Sequence, residues 1–178
     1  MRRFAALPLA IALLVLAATA AAATHGNPDK ELPFRGFASG DEVAFEFQIP
    51  EGRCVEMAEV ADSLTSFIGT GHATHLGRVE VRAEHCSDLD TGTYGDGMLT
   101  IVAANGDVLK ATYTNGVSLS PPPEIAFADD FTFVDGGTGR FVHASGGGSE
   151  AGVFFAATNE WFVHMRGVIV YDASYSSD

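Results

Sequence analysis

The residues of this chain best suited to metal or ligand chemistry are a small group of histidines. His72 and His75 lie three positions apart, and His85 follows ten residues after His75. On a helix this spacing would let two imidazoles meet a metal, but the segment is predicted to bend into a strand, where residues i and i+3 face opposite sides. No cysteine or carboxylate completes a tetrahedral set by spacing. We therefore expect no metal site and interpret His75 as a structural hydrogen-bonding residue, with ligand contact as the alternative.

A second candidate site is the charged face of one predicted strand. Glu80, Arg82 and Glu84 alternate with Val79 and Val81, so they share a face. If that face meets solvent, it carries weak ion pairs worth about 0–1 kcal/mol each. If it lines the interior of a barrel, Arg82 with Glu80 forms a buried polar pair able to orient a ligand. We favour solvent and keep the ligand site as the alternative.

Two further groups of polar residues lie on predicted strands near the C-terminus. His164 and Arg166 share one face of the last long strand and are candidates for ligand contact inside a barrel, although a buried histidine is usually a satisfied core residue. Asp129, Asp130 and Asp135 could attract calcium, but they lack the ligand spacing of an EF-hand loop. A solvated strand edge is the preferred interpretation of these acids.

Sequence patterns typical of common catalytic sites are missing. The chain has no G-x-S-x-G string and no cysteine placed to act with a histidine as a nucleophile. The run Gly136-Gly137-Thr138-Gly139 could be mistaken for a phosphate-binding loop, but no helical pattern and no lysine follow it. We assign no catalytic residue and no cofactor, and expect a non-catalytic protein while leaving enzymatic activity open.

Alternating hydrophobicity predicts that these residues are carried by β-strands. About eight segments qualify, at 43–49, 53–68, 79–86, 98–104, 108–114, 125–134, 153–157 and 161–171. A short helix is the alternative for residues 53–68, and no convincing helix is indicated elsewhere. Short strands with frequent turns predict an all-β fold, preferably an antiparallel closed barrel of about eight strands, with a β-sandwich as the alternative.

Turn signals separate the predicted strands. Asn105-Gly106 predicts a type I′ hairpin, which requires positive φ at both residues. Residues 69–72 are predicted to form a bend or bulge, and 87–97 a turn-rich connection. No repeat or linker is visible, so residues 33–178 are predicted to form one domain.

The last strand is apolar on both faces, which leaves its orientation open. Trp161, Val163 and Met165 alternate with Phe162 and His164. One apolar face would fill the barrel, and the other would meet a neighbouring subunit. A structural surface oligomer with Trp161, Val163 and Met165 outside is therefore a further hypothesis.

The composition indicates an acidic exported protein. Residues 1–23 have a basic start, an apolar run and a small-residue end, as in a cleaved secretory signal, and 24–32 are predicted to be a flexible leader. The formal charge of −13 argues against nucleic acid and against anionic membranes as partners once the signal is removed. We expect a secreted or periplasmic protein, in which Cys54 and Cys86 form a structural disulfide.

One glycine-rich element resembles a known superfamily. Gly136-Gly137-Thr138-Gly139-Arg140-Phe141, followed by Ala144 and Gly146, resembles the G-G-T-G-x-F-x-x-A-x-G element of allene oxide cyclase and dirigent barrels. The segments 73–78, 103–107 and 167–171 resemble exported bacterial proteins of that barrel type with no assigned activity. The element itself is predicted to be a hairpin in which Thr138 bonds to its own turn while Phe141 and Ala144 enter the core.

The resemblance implies a barrel with an apolar lumen, often assembled as a trimer, in which some relatives cyclise or steer reactive small molecules. We accordingly expect a protein that binds a small apolar molecule or acts as an interaction module. An isomerase, cyclase or dirigent-type enzyme acting on a small reactive substrate is the alternative, because shaping a bound substrate requires no conspicuous motif.

Overall fold

The structure, a computed structural model, describes residues 30–47, 53–54 and 63–172. The proposed signal sequence and residues 24–29 of the proposed leader lie outside these ranges. Across the described residues, no helix is both long and apolar enough to span a membrane.

The described residues fold into eight antiparallel strands that close into a barrel, which confirms the predicted fold class. Each strand pairs with the next in sequence, and β8 pairs with β1. The strands are β1 (Leu32–Phe47), β2 (Ser63–Ala73), β3 (Gly77–Asp88), β4 (Thr93–Val102), β5 (Val108–Ser118), β6 (Glu124–Val134), β7 (Ser145–Phe155) and β8 (Glu160–Val170).

Side-chain alternation decides which residues face the lumen. On β8, Trp161, Val163 and Met165 are buried inside, whereas Phe162 and His164 are exposed outside. The hypothesis that placed the first three on an outer apolar face is therefore wrong. A closed barrel has room inside for bulky side chains, and these three occupy it.

One end of the barrel is filled by aromatic side chains. Phe34, Phe131 and Phe133 meet edge to face, with ring centroids 5.0 to 5.9 Å apart. Phe141, from a short 3-10 helix (Gly139–Phe141) between β6 and β7, is fully buried, and Ala144 is buried beside the same core. Both residues enter the core as predicted, and this end of the lumen is closed.

The glycine-rich element differs from the predicted hairpin in one contact. The Oγ1 of Thr138 accepts a hydrogen bond from the backbone N–H of Val108 at 2.8 Å, so Thr138 ties its loop to β5 rather than to its own turn. The Arg140 guanidinium donates to the carbonyl of His75 and lies 4.9 Å from the Phe141 ring centroid. The element thus fastens the loops of the closed end together.

Several predicted boundaries were wrong because strand pairing overrides local turn residues. Residues 69–72 are not a bend but part of β2, where Gly69 and Gly71 let the backbone of β1 approach closely. The turn lies at 74–76, where His75 has φ of 68°. β3 and β4 extend through most of the predicted connection 87–97, and β1 starts at Leu32, well before the predicted strand at 43.

The Asn105-Gly106 hairpin forms, but with a different turn. Only Gly106 has positive φ, at 88°, and Ala103 and Asp107 are joined by a backbone hydrogen bond of 2.8 Å. The loop therefore holds three residues with glycine in the left-handed position, rather than the predicted type I′ pair.

The predicted disulfide is confirmed. Cys54 and Cys86 are bonded and buried, and they link the short segment 53–54 to β3. The neighbouring Arg53 pairs with Glu84 at 2.7 Å and Asp96 at 3.3 Å. Together these contacts fix segment 53–54 against β3 and β4.

Candidate functional site

The half of the barrel away from Phe141 contains a cavity of about 650 Å³. It extends from Met165 and Leu99 towards loops at 88–93 and 118–122, which line its mouth. The lumen is therefore packed at one end and hollow at the other.

Aromatic rings make up much of the cavity wall. They are Phe45, Phe67, Tyr94, Tyr113, Phe127, Phe154 and Trp161. Phe67 meets Phe154 and Trp161 edge to face, with centroids 6.4 and 6.3 Å apart. The wall thus offers ring faces and edges to any bound molecule.

Inward-facing glycines position these rings. Gly116 is paired with Tyr94, and Gly97 with Tyr113, across β4 and β5. A Cβ built on Gly116 would lie 2.2 Å from the Tyr94 ring, and one on Gly97 would lie 2.3 Å from the Tyr113 ring. Each tyrosine ring lies flat over the glycine of the neighbouring strand, an arrangement that only a missing side chain permits.

Two acidic side chains enter the lumen side by side. Asp129 on β6 and Glu150 on β7 are cross-strand partners and both line the cavity. The Tyr94 hydroxyl donates to Oδ2 of Asp129 at 2.6 Å, and Asp129 is only 4% exposed. Oδ1 of Asp129 is buried and has no hydrogen-bond partner among the described residues.

Burial and mutual repulsion raise the pKa values of both carboxyl groups of this pair. Burial raises the pKa of Asp129 to about 6, although the hydrogen bond from Tyr94 acts in the opposite direction. Burial and the charge of Asp129 raise the pKa of Glu150 well above its ordinary value. Neighbouring carboxyls in a poorly solvated site cannot both ionise readily. The pair therefore favours a state with one proton, and the stronger effect of burial on Glu150 favours that carboxyl as its carrier.

His85 completes the polar part of the site. Its ring stacks on Tyr94 with centroids 4.4 Å apart, and its Nδ1 lies 3.0 Å from the Tyr113 hydroxyl. Burial, assisted by the charge of Arg53, lowers the pKa of His85 to about 3. Burial also raises the pKa of both tyrosines above the ordinary value. The imidazole is consequently neutral, and both phenols keep their protons.

The residues predicted from sequence to contact a ligand lie outside this site. Glu80, Arg82, His164 and Arg166 are exposed on the outer surface of the barrel, which contradicts the hypotheses that placed them in the lumen. His75 lies in the turn at the closed end, where its Nε2 is 3.0 Å from the carbonyl of Pro33. His75 thus has the structural role that was preferred for it.

The sequence did contain a signal for Asp129. It alternates in phase with Phe127, Phe131 and Phe133, which fill the lumen, so a buried acid follows from the same pattern. Interpreting Asp129 as part of a solvated edge was wrong, because residue type was given more weight than phase. The pairing of Asp129 with Glu150 and Tyr94 depends on strand register, which no local pattern supplies.

The donor set does not form a metal centre. Among the described ranges, no group of three or more histidine, cysteine, aspartate or glutamate side chains is placed to hold a metal ion. Comparisons of the chain with protein-family models, curated proteins and solved structures find no match.

Proposed function

We propose that this is an exported binding protein whose barrel holds a small, largely apolar molecule. The observation that carries the proposal is the cavity of about 650 Å³, closed at one end by Phe141 and its neighbours. Ligand sites of drug-sized molecules commonly measure about 300–1,000 Å³ and are apolar with a few polar groups. The aromatic wall with its cluster of Asp129, Glu150 and His85 has that composition.

The indole of Trp161 supports a bound molecule. It lines the cavity, is 5% exposed, and its Nε1–H finds no acceptor among the residues that the structure describes. A buried donor without a partner costs about 1–3 kcal/mol. A ligand oxygen at this position would remove that cost.

The proposed class and location follow from the sequence features. The Gly136–Phe141 element resembles that of allene oxide cyclase and dirigent barrels, and a closed eight-stranded barrel fits that class. The Cys54–Cys86 disulfide and the signal-like residues 1–23 favour a periplasmic or secreted protein. A trimer or dimer remains part of the proposal through the same resemblance.

The binding proposal can be tested with an uncharged dye. Nile red should become fluorescent in the cavity and quench Trp161, the single tryptophan of the chain. Ala83→Phe, which fills the cavity, should abolish the signal, whereas Ala151→Phe on the outer face should retain it. A wild-type protein that leaves the dye dark, or equal signals from both variants, would contradict the proposal.

An isomerase or cyclase is the second candidate function, and the proton shared by Asp129 and Glu150 favours it. A buried acid with a raised pKa can donate a proton at neutral pH, and the neighbouring carboxylate of Asp129, with a pKa of about 6, can accept one. The molecule co-purifying from the native host should then exchange hydrogen in D2O when incubated with the protein. Glu150→Gln should stop this exchange while retaining the bound molecule, and an unchanged exchange rate would exclude Glu150 as the acid.

A further inference from the structure

We propose that the ligand is an organic cation, an amine or quaternary ammonium group carried on an apolar body. This inference rests on the proposed binding function and specifies its ligand. The positive group would lie against Asp129 and Glu150, with aromatic rings around the remainder.

The charges of the cavity wall favour a cation. The acidic residues of the wall are Glu42, Asp88, Asp90, Asp129 and Glu150, and among the described residues that line the cavity there is no lysine or arginine. The one histidine of the wall, His85, is neutral for the reason given above. A carboxylate ligand would be repelled by this wall, whereas a cation would be attracted.

The aromatic residues are of the kind that binds ammonium groups. Tyr94, Tyr113 and Phe127 surround the acidic pair, and Tyr94 meets the other two rings at 6.4 Å between centroids. The faces of such rings attract ammonium groups, most strongly where the cation is desolvated. An inorganic cation would gain less here, because no set of three or more acidic or imidazole donors converges within the described ranges.

The buried Oδ1 of Asp129 marks the position for the positive group, which would take the place of the carboxyl proton of Glu150. Oδ1 has no hydrogen-bond partner among the described residues, and Oδ2 is already occupied by the Tyr94 hydroxyl. An ammonium group held between the two carboxyls would take the place of the Glu150 proton, so that one positive charge offsets one of the two carboxylates and the net charge of the site stays the same. The carboxyl proton of Glu150 would then pass to solvent, so binding and proton release are coupled.

Other titratable groups near the pair do not compete for that role. Tyr94 and Tyr113 keep their protons, and Asp130 points outward from β6, where it adds negative charge. Arg53 is held by Glu84 and Asp96. The acidic pair is therefore the part of this polar cluster that titrates as the cation binds, and Glu42 on β1 is a further acid of the cavity wall whose pKa is raised by burial.

A matched pair of probes tests the inference. Benzyltrimethylammonium and neopentylbenzene have the same shape, and only the first is charged. We expect benzyltrimethylammonium to quench Trp161 with at least about tenfold tighter binding, and its affinity to rise between pH 5.5 and 8. Calorimetry in phosphate and in Tris buffer should show about one proton released per cation bound.

Two variants distinguish the effect of the Asp129–Glu150 pair from the effect of acidic charge on the outer surface. Glu150→Gln should remove the proton release and most of the preference for the cation over neopentylbenzene. Asp130→Asn removes one acidic charge from the outer face of the same strand and should preserve the preference. The wild-type comparison of the two probes needs no variant, so it stands even if Glu150→Gln fails to fold.

The outcomes distinguish the inference from the binding proposal. If neopentylbenzene binds as tightly as benzyltrimethylammonium or more tightly, without proton release, the inference that the ligand is a cation is wrong. The proposal that the barrel binds a small apolar molecule would still stand. If Nile red and both probes leave the fluorescence of Trp161 unchanged, the binding proposal is wrong, and the inference about a cation is wrong with it.

Discussion

The Tyr94 hydroxyl reaches Asp129 Oδ2 at 2.6 Å, although β4 and β6 are not neighbours in the barrel. Gly116 on the intervening β5 makes this possible, because the tyrosine ring crosses the position that a side chain would fill. This hydrogen bond thereby fixes the orientation of the Tyr94 ring in the cavity wall and the position of the Asp129 carboxyl group.

Tyr94→Phe should destabilise the protein at neutral pH. Asp129 would lose the hydroxyl that stabilises its charge, and a hydrogen bond to a charged group is worth about 1.5–3 kcal/mol. Urea unfolding at pH 7.5 measures the loss. Tyr113→Phe is the matched control, since its hydroxyl meets a neutral His85 and its removal should cost about 0.5–1.5 kcal/mol. Equal losses in the two variants would argue against a charged Asp129.

The fold was largely predictable because alternation and turn residues are local. The strand containing Val79 and Val81, the hairpin at Asn105-Gly106 and the buried Phe141 all follow from neighbouring residues. The predicted strand boundaries were wrong where pairing with a strand that is distant in sequence determines the local structure. Gly69 and Gly71 indicate a turn by type, yet they form a strand because β1 lies directly against them.

The site was not predictable from residue type. His164 and Arg166 were candidates because they are polar, but their phase on β8 places them outside, opposite Trp161 and Val163. The cavity lies between strands that are distant in sequence. A shift of one residue in the register of a strand would move its inward-facing side chains to the outer face of the barrel. The phase of β6 indicates that Asp129 faces inward, but only the closed sheet shows that it lies beside Glu150 and Tyr94.

Removing the disulfide should lower stability substantially. Cys54 and Cys86 are separated by 32 positions, and a loop of this size contributes about 3–4 kcal/mol in the chain-entropy description. The double serine variant and the reduced wild-type protein should show the same drop in the free energy of unfolding, measured with urea. A loss below about 1 kcal/mol would mean that the segment around Cys54 is held mainly by the ion pairs of Arg53.

His85→Phe should make the protein less sensitive to acid. In the folded wild type the pKa of His85 is lowered to about 3, whereas in the unfolded chain it is about 6.5. Between these two pH values the unfolded chain binds a proton on His85 and the folded chain does not. Stability that depends on a lowered histidine pKa is present at high pH and is lost as the pH falls, at up to about 1.4 kcal/mol per pH unit.

The change in sign with pH provides the test of the His85 variant. At pH 7.5, His85→Phe should be less stable than wild type by about 1 kcal/mol, because Tyr113 loses its partner. At pH 4.5 the order should reverse. Because the raised pKa of Asp129 acts in the opposite direction between about pH 4 and 6, only the difference between the two proteins isolates the histidine. A difference that does not vary with pH would show that His85 is protonated in the folded state.

Gly97→Ala should disrupt the site, whereas Gly36→Ala should not. A Cβ at Gly97 would lie 2.3 Å from the Tyr113 ring, so the ring must move into the cavity and away from His85, at a cost of about 1–3 kcal/mol. At Gly36 the nearest atom is the Cβ of Ala73 at 3.5 Å, an ordinary contact. Alanine there should be neutral or stabilising by up to about 1 kcal/mol, because it restricts the unfolded chain. Urea unfolding and Nile red binding of both variants should therefore diverge; if Gly97→Ala is tolerated as well as Gly36→Ala, the Tyr113 ring is not held over the glycine.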